Sequence, residues 1–161
     1  MSTVAVTRLV TSPVAEVWRV FTDLPSRRHW LSTVTRVEML THGPFRAGTV
    51  WRETRTMADA AEITEEFRVR ECVIPERFVV TSPGIGADYR MTYTFVPVVE
   101  GRHRGGTMVT VIQDGNPTAP AGRLLALVFG GLAARTVEGA LRRDLEDLAR
   151  AATHPSSTGV G

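Results

Sequence analysis

Apolar positions along this chain recur with two different periods, and the change between them divides it into elements. Val14, Val17, Trp18 and Phe21 fall at i, i+3, i+4 and i+7, which predicts an amphipathic helix with one stripe facing a core. Ser12 reads as its N-cap, Pro13 as its first helical position, and Glu16 sits near the positive helix start. Asp23-Leu24-Pro25 ends that helix, because a residue before proline is pushed out of helical geometry; Pro25 can itself open a second short helix ending at Trp30 and Leu31. From there to about Asp114 the period is two. Strands are expected near Val34 to Leu40, Thr49 to Met57, Ile63 to Val73, Phe78 to Ser82, Ala87 to Val96 and Thr107 to Asp114, joined by glycine- and proline-containing turns. With one strand before Ser12, that makes an antiparallel run of seven.

The last element reverts to helical spacing. From roughly Ala121 to Ala152, Leu124, Leu127, Val128, Leu132, Val137, Leu141, Leu145 and Leu148 lie on or near one face. Such a helix would span on the order of 45 Å, enough to cross a whole sheet, and Gly130-Gly131 interrupts it where a bend or a close backbone approach is possible. The expected organisation is a single domain over residues 1–153 and a disordered tail over 154–161, where Pro, Ser, Thr and Gly dominate.

Composition narrows the picture. The chain has 161 residues, 43% of them hydrophobic, which suits one domain burying roughly 68–70% of its unfolded surface. Its one cysteine, Cys72, excludes an internal disulfide and a cysteine-based zinc cluster. It falls on the strand parity opposite the apolar residues, with no histidine nearby in sequence to activate it. All 19 basic residues are arginine, a bias that GC-rich coding accounts for. The pI near 9.3 suggests nucleic acid, but the net charge is only +2 and the arginines are interleaved with Glu and Asp, which argues against such a partner. MSTVAVTRLV lacks the pattern of a signal peptide, and no segment approaches the roughly 18 apolar residues of a membrane span. A cytoplasmic protein, monomeric or homodimeric, is expected.

Three stretches resemble a known family. SPVAEVWRVFTDLPSRRHW is similar to the helix-one region of the START-like superfamily (SRPBCC), polyketide cyclase/dehydrase branch. Pro44 to Trp51 (PFRAGTVW) resembles its glycine-led third strand, and Gly105 to Thr110 (GGTMVT) the glycine-threonine start of its last strand. The resemblance covers nearly the whole chain. It implies an α+β helix-grip fold: a seven-stranded curved antiparallel sheet wrapped around a long C-terminal helix, with two short helices after the first strand. It also implies a cavity between sheet and helix, in a superfamily that includes lipid carriers, hormone receptors and aromatic polyketide cyclases, and so it specifies no single reaction.

Strand alternation says which side chains would face that cavity. The apolar parity selects Trp51, Glu53, Arg55 and Met57 on the third strand and Ile63, Glu65, Phe67 and Val69 on the fourth. On the sixth it selects Tyr89, Met91, Tyr93 and Phe95, and on the last Thr107, Val109, Val111 and Gln113. A hairpin pairing Met57 with Ile63 would set Arg55 opposite Glu65, Glu53 opposite Phe67 and Trp51 opposite Val69, at the expense of Arg52 opposite Arg68 on the outer face. An inward Arg55–Glu65 pair beside Glu53 would supply the few polar anchors a ligand pocket carries; alternatively, these charges stay solvated at the rim of the sheet. Tyr89 and Tyr93 either offer hydroxyls to a ligand or pack as core, and Trp30 and Trp51 either stack on a planar ligand or pack likewise. The ligand-binding candidates are therefore Trp30, Leu31, Trp51, Glu53, Arg55, Glu65, Phe67, Tyr89, Met91, Tyr93 and, on the grip helix, Val128 and Leu132.

Dedicated catalytic motifs are missing. His29, His42, His103 and His154 form no pair at metal-ligand spacing, so no metal is expected, and no nucleotide or cofactor motif is present. His29 reads as a solvated helix-end residue. Gly101 to Gly106 joins two strands instead of opening a helix, which makes it a hairpin tip and not a phosphate cradle. Three functions remain. The first is binding of a hydrophobic or aromatic small molecule. The second, which the resemblance implies, is a cyclase, aromatase or dehydratase-like enzyme using Glu53, Arg55, Glu65 and Tyr93 in acid-base roles. The third is a module that docks on another macromolecule.

Overall fold

The computed structural model describes residues 2–57, 59–83, 87–117 and 120–153, with the side chains of 117–136 outside that description. The elements are β1 (Ser2–Val10), α1 (Val14–Thr22), a 3-10 turn (Leu24–Ser26), α2 (Arg27–Trp30), β2 (Val34–Met39), β3 (Val50–Thr56), β4 (Glu62–Val73), β5 (Arg77–Pro83), β6 (Ala87–Pro97), β7 (Thr107–Pro117) and α3 (Pro120–Thr153). The seven strands form one curved antiparallel sheet in the order β1-β7-β6-β5-β4-β3-β2, and α3 lies against β1 and β7 while touching α1 and α2. This is the helix-grip architecture. No helix among the described residues is long and apolar enough to cross a membrane. The tail 154–161 lies outside the described residues.

The core forms where the helical stripe meets the inner face of the sheet. Val17, Trp18 and Phe21 of α1 pack with Phe78, Met91, Phe95, Val109 and Val111 from the strands and with Leu141, Leu145 and Leu148 of α3. Trp18 meets Phe78 and Phe95 edge-on, with centroids 5.6 and 5.2 Å away, the geometry that aromatic quadrupoles favour. Entry to α1 differs from the expectation. Pro13 itself is the N-cap (φ −61°, ψ 149°) with no side-chain cap, and Ser12 is buried, its carbonyl accepting a 2.8 Å hydrogen bond from the Thr107 hydroxyl. The Ser12 backbone thus ties α1 to β7. Gly106 sits beside that junction, where a Cβ would come within 3.1 Å of the Val10 carbonyl and crowd it.

Two local departures change what side chains face. The β3–β4 hairpin is shifted by two residues from the register that alternation suggested: Trp51 faces Phe67, Glu53 faces Glu65 and Arg55 faces Ile63. A turn with Ala60 in the left-handed region (φ 66°) and a 2.8 Å bond from the Met57 amide to the Ala61 carbonyl closes it. The shift keeps every side chain on its expected face, because it is an even number of residues. It also sets Arg52 opposite Glu66, removing the Arg52–Arg68 conflict, and pairs the Thr54 and Thr64 hydroxyls at 2.8 Å. The second departure is a bulge in β4 between Val69 and Glu71. The extra residue reverses the parity beyond it, so Cys72 pairs with Phe78 and packs against the core instead of pointing outward. Burial raises the pKa of its thiol.

Candidate functional site

A cavity of about 660 Å³ lies between the inner face of the sheet and the C-terminal half of α3. Alternation on β3, β4 and β6 delivers Trp51, Glu53, Arg55, Glu65, Phe67, Tyr89, Met91 and Tyr93 to its wall. Phe21, Phe78, Val80, Val137 and Leu141 add apolar surface, and Arg27, Thr33, Gln113 and Asp144 add polar groups. Trp30 and Leu31, expected as ligand contacts, do not line it. Trp30 packs 6.0 Å from Phe21 between ring centroids, and Leu31, 1% exposed, belongs to the interior. Val128 and Leu132 have side chains outside the described residues. Glu53 is not a solvated rim charge, being only 1% exposed, while Arg55 and Glu65 are partly buried.

The polar end of the cavity is built around Glu53. Arg55 donates to Glu53 Oε1 from Nε (3.0 Å) and Nη2 (2.7 Å), and the Trp51 indole donates to Oε2 (3.2 Å). Nη1 of Arg55 donates to Asp144 Oδ1 of α3 (2.9 Å) and to the Thr33 hydroxyl (3.1 Å). Arg27 of α2 places Nε 3.1 Å from Glu53 Oε2, close enough for an ion pair but with its N–H off the line, so that atom forms no hydrogen bond. Its guanidinium lies 4.9 Å from the centroid of Phe21 and 6.0 Å from those of Trp30 and Trp51. Cation–π attraction in such a desolvated place is worth about 2 kcal/mol.

These contacts set the protonation states. Burial would raise the pKa of Glu53, but the charges of Arg27 and Arg55 and the hydrogen bonds from Arg55 and Trp51 outweigh it and hold it below the usual carboxylate range. Burial would lower that of Arg55, but Asp144 and Glu53 raise it instead, so Arg55 stays charged. Asp144 goes the other way: its burial outweighs the bond from Arg55 and raises its pKa. Glu65 is also raised, by burial first and further by Glu53 facing it, with Arg55 opposing. Burial pushes the Tyr93 hydroxyl up to about 12; among the described residues its one hydrogen bond is to the Met91 sulfur at 3.9 Å. The site therefore holds a fixed ionised centre at Glu53 and two carboxyls, Glu65 and Asp144, that are easier to protonate.

Sequence reasoning missed Arg27 and Asp144, although a signal for each exists. Leu24, Arg27 and Leu31 follow i, i+3, i+7, and Val137, Leu141, Asp144 and Leu148 follow the apolar stripe of α3. A charge inside an apolar stripe must find a buried partner.

Comparison with known proteins agrees with the architecture. Residues 1–153 match the family described as polyketide cyclase / dehydrase and lipid transport, and the chain belongs to that family. Among solved structures it is similar to the Zhui aromatase/cyclase of Streptomyces sp. R1128, with 18% identity, 99% of each chain covered and a TM-score of 0.78. It is also similar to TTHA0849 of Thermus thermophilus, with 22% identity, 97% of this chain and 100% of that one covered and a TM-score of 0.77. A START superfamily protein of Mycobacterium smegmatis aligns at 13% identity over 94% of this chain and 97% of that one, with a TM-score of 0.74. At these identities the likeness is one of fold. No curated protein matches the chain.

Proposed function

We propose that the chain binds a hydrophobic or aromatic small molecule in the cavity between the sheet and α3. The observation that carries this reading is the cavity itself: about 660 Å³, walled by Phe21, Phe67, Phe78, Val80, Met91 and Leu141, with its polar groups gathered around Glu53. Ligand pockets typically enclose roughly 300–1,000 Å³ of mostly apolar surface with a few convergent polar groups. Membership of a family described by cyclisation, dehydration and lipid transport supports the same reading. A thermal-shift and native mass spectrometry screen of apolar and aromatic compounds tests it. Retained ligands that raise the melting temperature are expected, and a screen without a single binder would overturn it.

A second reading, a cyclase or dehydratase-like enzyme, is favoured by one feature. Glu65 faces the cavity with a raised pKa and no hydrogen-bond partner among the described residues, a state suited to proton transfer to or from a bound carbonyl. The resemblance to an aromatase/cyclase fold adds to it. Incubation with a short poly-β-ketone surrogate separates the readings. Cyclised product that is lost in Glu65→Gln while the surrogate still binds would establish catalysis, whereas products identical with and without protein leave binding alone.

A further inference from the structure

The cavity arginines Arg27 and Arg55 are not equivalent. Arg55 has Nε, Nη1 and Nη2 all donating to Glu53, Asp144 or Thr33, so a ligand can reach it only by displacing a protein bond. Arg27 lines the same cavity with its side chain 7% exposed, yet none of its nitrogens donates a hydrogen bond among the described residues. What holds it is the off-line contact with Glu53 and the rings of Phe21, Trp30 and Trp51. The buried Nε has no hydrogen-bond partner, and the Nη groups, which no protein acceptor holds among the described residues, are left to donate to an acceptor entering the cavity.

We propose that Arg27 forms a carboxylate subsite, and that the ligand is an apolar or aromatic molecule carrying a carboxylate. The inference rests on the cavity being a small-molecule site. A planar guanidinium matches a carboxylate with two parallel N–H···O bonds, a fit that a lysine ammonium cannot reproduce. Three guanidiniums, Arg27, Arg55 and Arg143, and three carboxyls, Glu53, Asp144 and Glu65, line the cavity, so every further negative charge on a ligand is set against as many acidic groups as basic ones, and a monoanion is favoured over a dianion such as a phosphate. The aromatic and apolar side chains of the lining accept the rest of the ligand.

Isothermal titration calorimetry with two matched pairs tests the proposal: 2-naphthoate against 2-naphthamide, and decanoate against decanol. The acid is expected to bind at least about tenfold more tightly than its neutral partner in one pair or both, and which pair responds tells an aromatic ligand body from an aliphatic one. In Arg27→Met the preference should fall below about threefold while the neutral compound binds as before, and Arg27→Lys should keep only part of it. If near-UV circular dichroism shows Arg27→Met unfolded, Arg27→Gln takes its place. Neutral compounds binding as tightly as the acids, or a preference that survives loss of the guanidinium, overturns the carboxylate subsite and leaves the cavity reading standing. Failure of all four compounds to bind overturns both.

Discussion

Arg55 of β3 and Asp144 of α3, 89 residues apart in sequence, meet across the cavity with Nη1 2.9 Å from Oδ1. The same guanidinium holds Glu53 beside it on the strand, so one side chain joins the sheet to the gripping helix and neutralises a buried carboxylate. The two partners should therefore respond unequally to substitution. Arg55→Met leaves Glu53 with only Arg27 and Asp144 without its ion-pair partner, and should cost about 3–5 kcal/mol, the range for breaking a buried ion pair. Asp144→Asn keeps Arg55 on Glu53 and should cost less than half of that. Urea unfolding at pH 7 measures both, and equal losses would show that the Arg55–Glu53 contact carries little weight.

Glu53 makes the fold sensitive to acid. Its folded pKa lies below the value of an unfolded glutamate, so its contribution is present above the unfolded pKa and is lost as pH falls through the folded one. Part of the acid unfolding of this protein should disappear in Glu53→Gln, at a cost of about 3–5 kcal/mol at pH 7, because two guanidiniums then lose their shared counter-ion. The measurement is the urea midpoint from neutral pH down to about 3, wild type against variant. A constant difference across that range would contradict the assignment.

Most of the architecture was legible in the sequence, because its signals are local. Val14, Val17, Trp18 and Phe21 show the helical period, and alternation from Trp51 to Glu53 and from Tyr89 to Phe95 shows which face is buried, while Met57 at the end of the third strand is 41% exposed. Alternation fixes the face and leaves the register free by any even number of residues. The Trp51–Phe67 stack, 5.3 Å apart and inclined 24°, therefore had to come from the three-dimensional structure, as did the facing Glu53 and Glu65. Cys72 was misplaced for a related reason: a bulge reverses parity without a glycine to announce it. Arg27 and Asp144 lay in view within apolar stripes, but what makes them part of the site is packing between α2, β3 and α3, and no local pattern encodes that.

Glu65 should behave oppositely to Glu53. Its pKa is raised, so the folded state keeps its proton longer than the unfolded chain does, and stability falls as pH rises from the unfolded pKa to the folded one. Glu65→Gln removes the charge facing Glu53 without changing shape. The variant should be more stable than wild type at pH 7, and the gain should vanish below about pH 4, where both states of the native residue are protonated. Thermal unfolding at the two pH values decides it, and a variant less stable at pH 7 would mean that Glu65 has a partner through water or a bound ligand.

Tyr93 extends the same reasoning to alkali. It is 8% exposed and stacks on Phe78 at 4.8 Å, with burial as the main cause of a hydroxyl pKa of about 12. An unfolded tyrosine ionises near 10, so between about pH 10 and 12 the unfolded chain releases a proton that the folded chain retains, and stability falls as pH rises. The interval corresponds to about 2–3 kcal/mol once complete. Tyr93→Phe keeps the ring and loses only a weak contact with the Met91 sulfur, so it should cost little at pH 7 and lose less stability than wild type in alkali. Urea midpoints of the two proteins at pH 9 and about pH 11.5 make the comparison, with the other tyrosine, Tyr89, present in both. If the two proteins lost stability in parallel, Tyr93 would be ionising in the folded state as readily as in water, and the cavity wall around it would have to be wet.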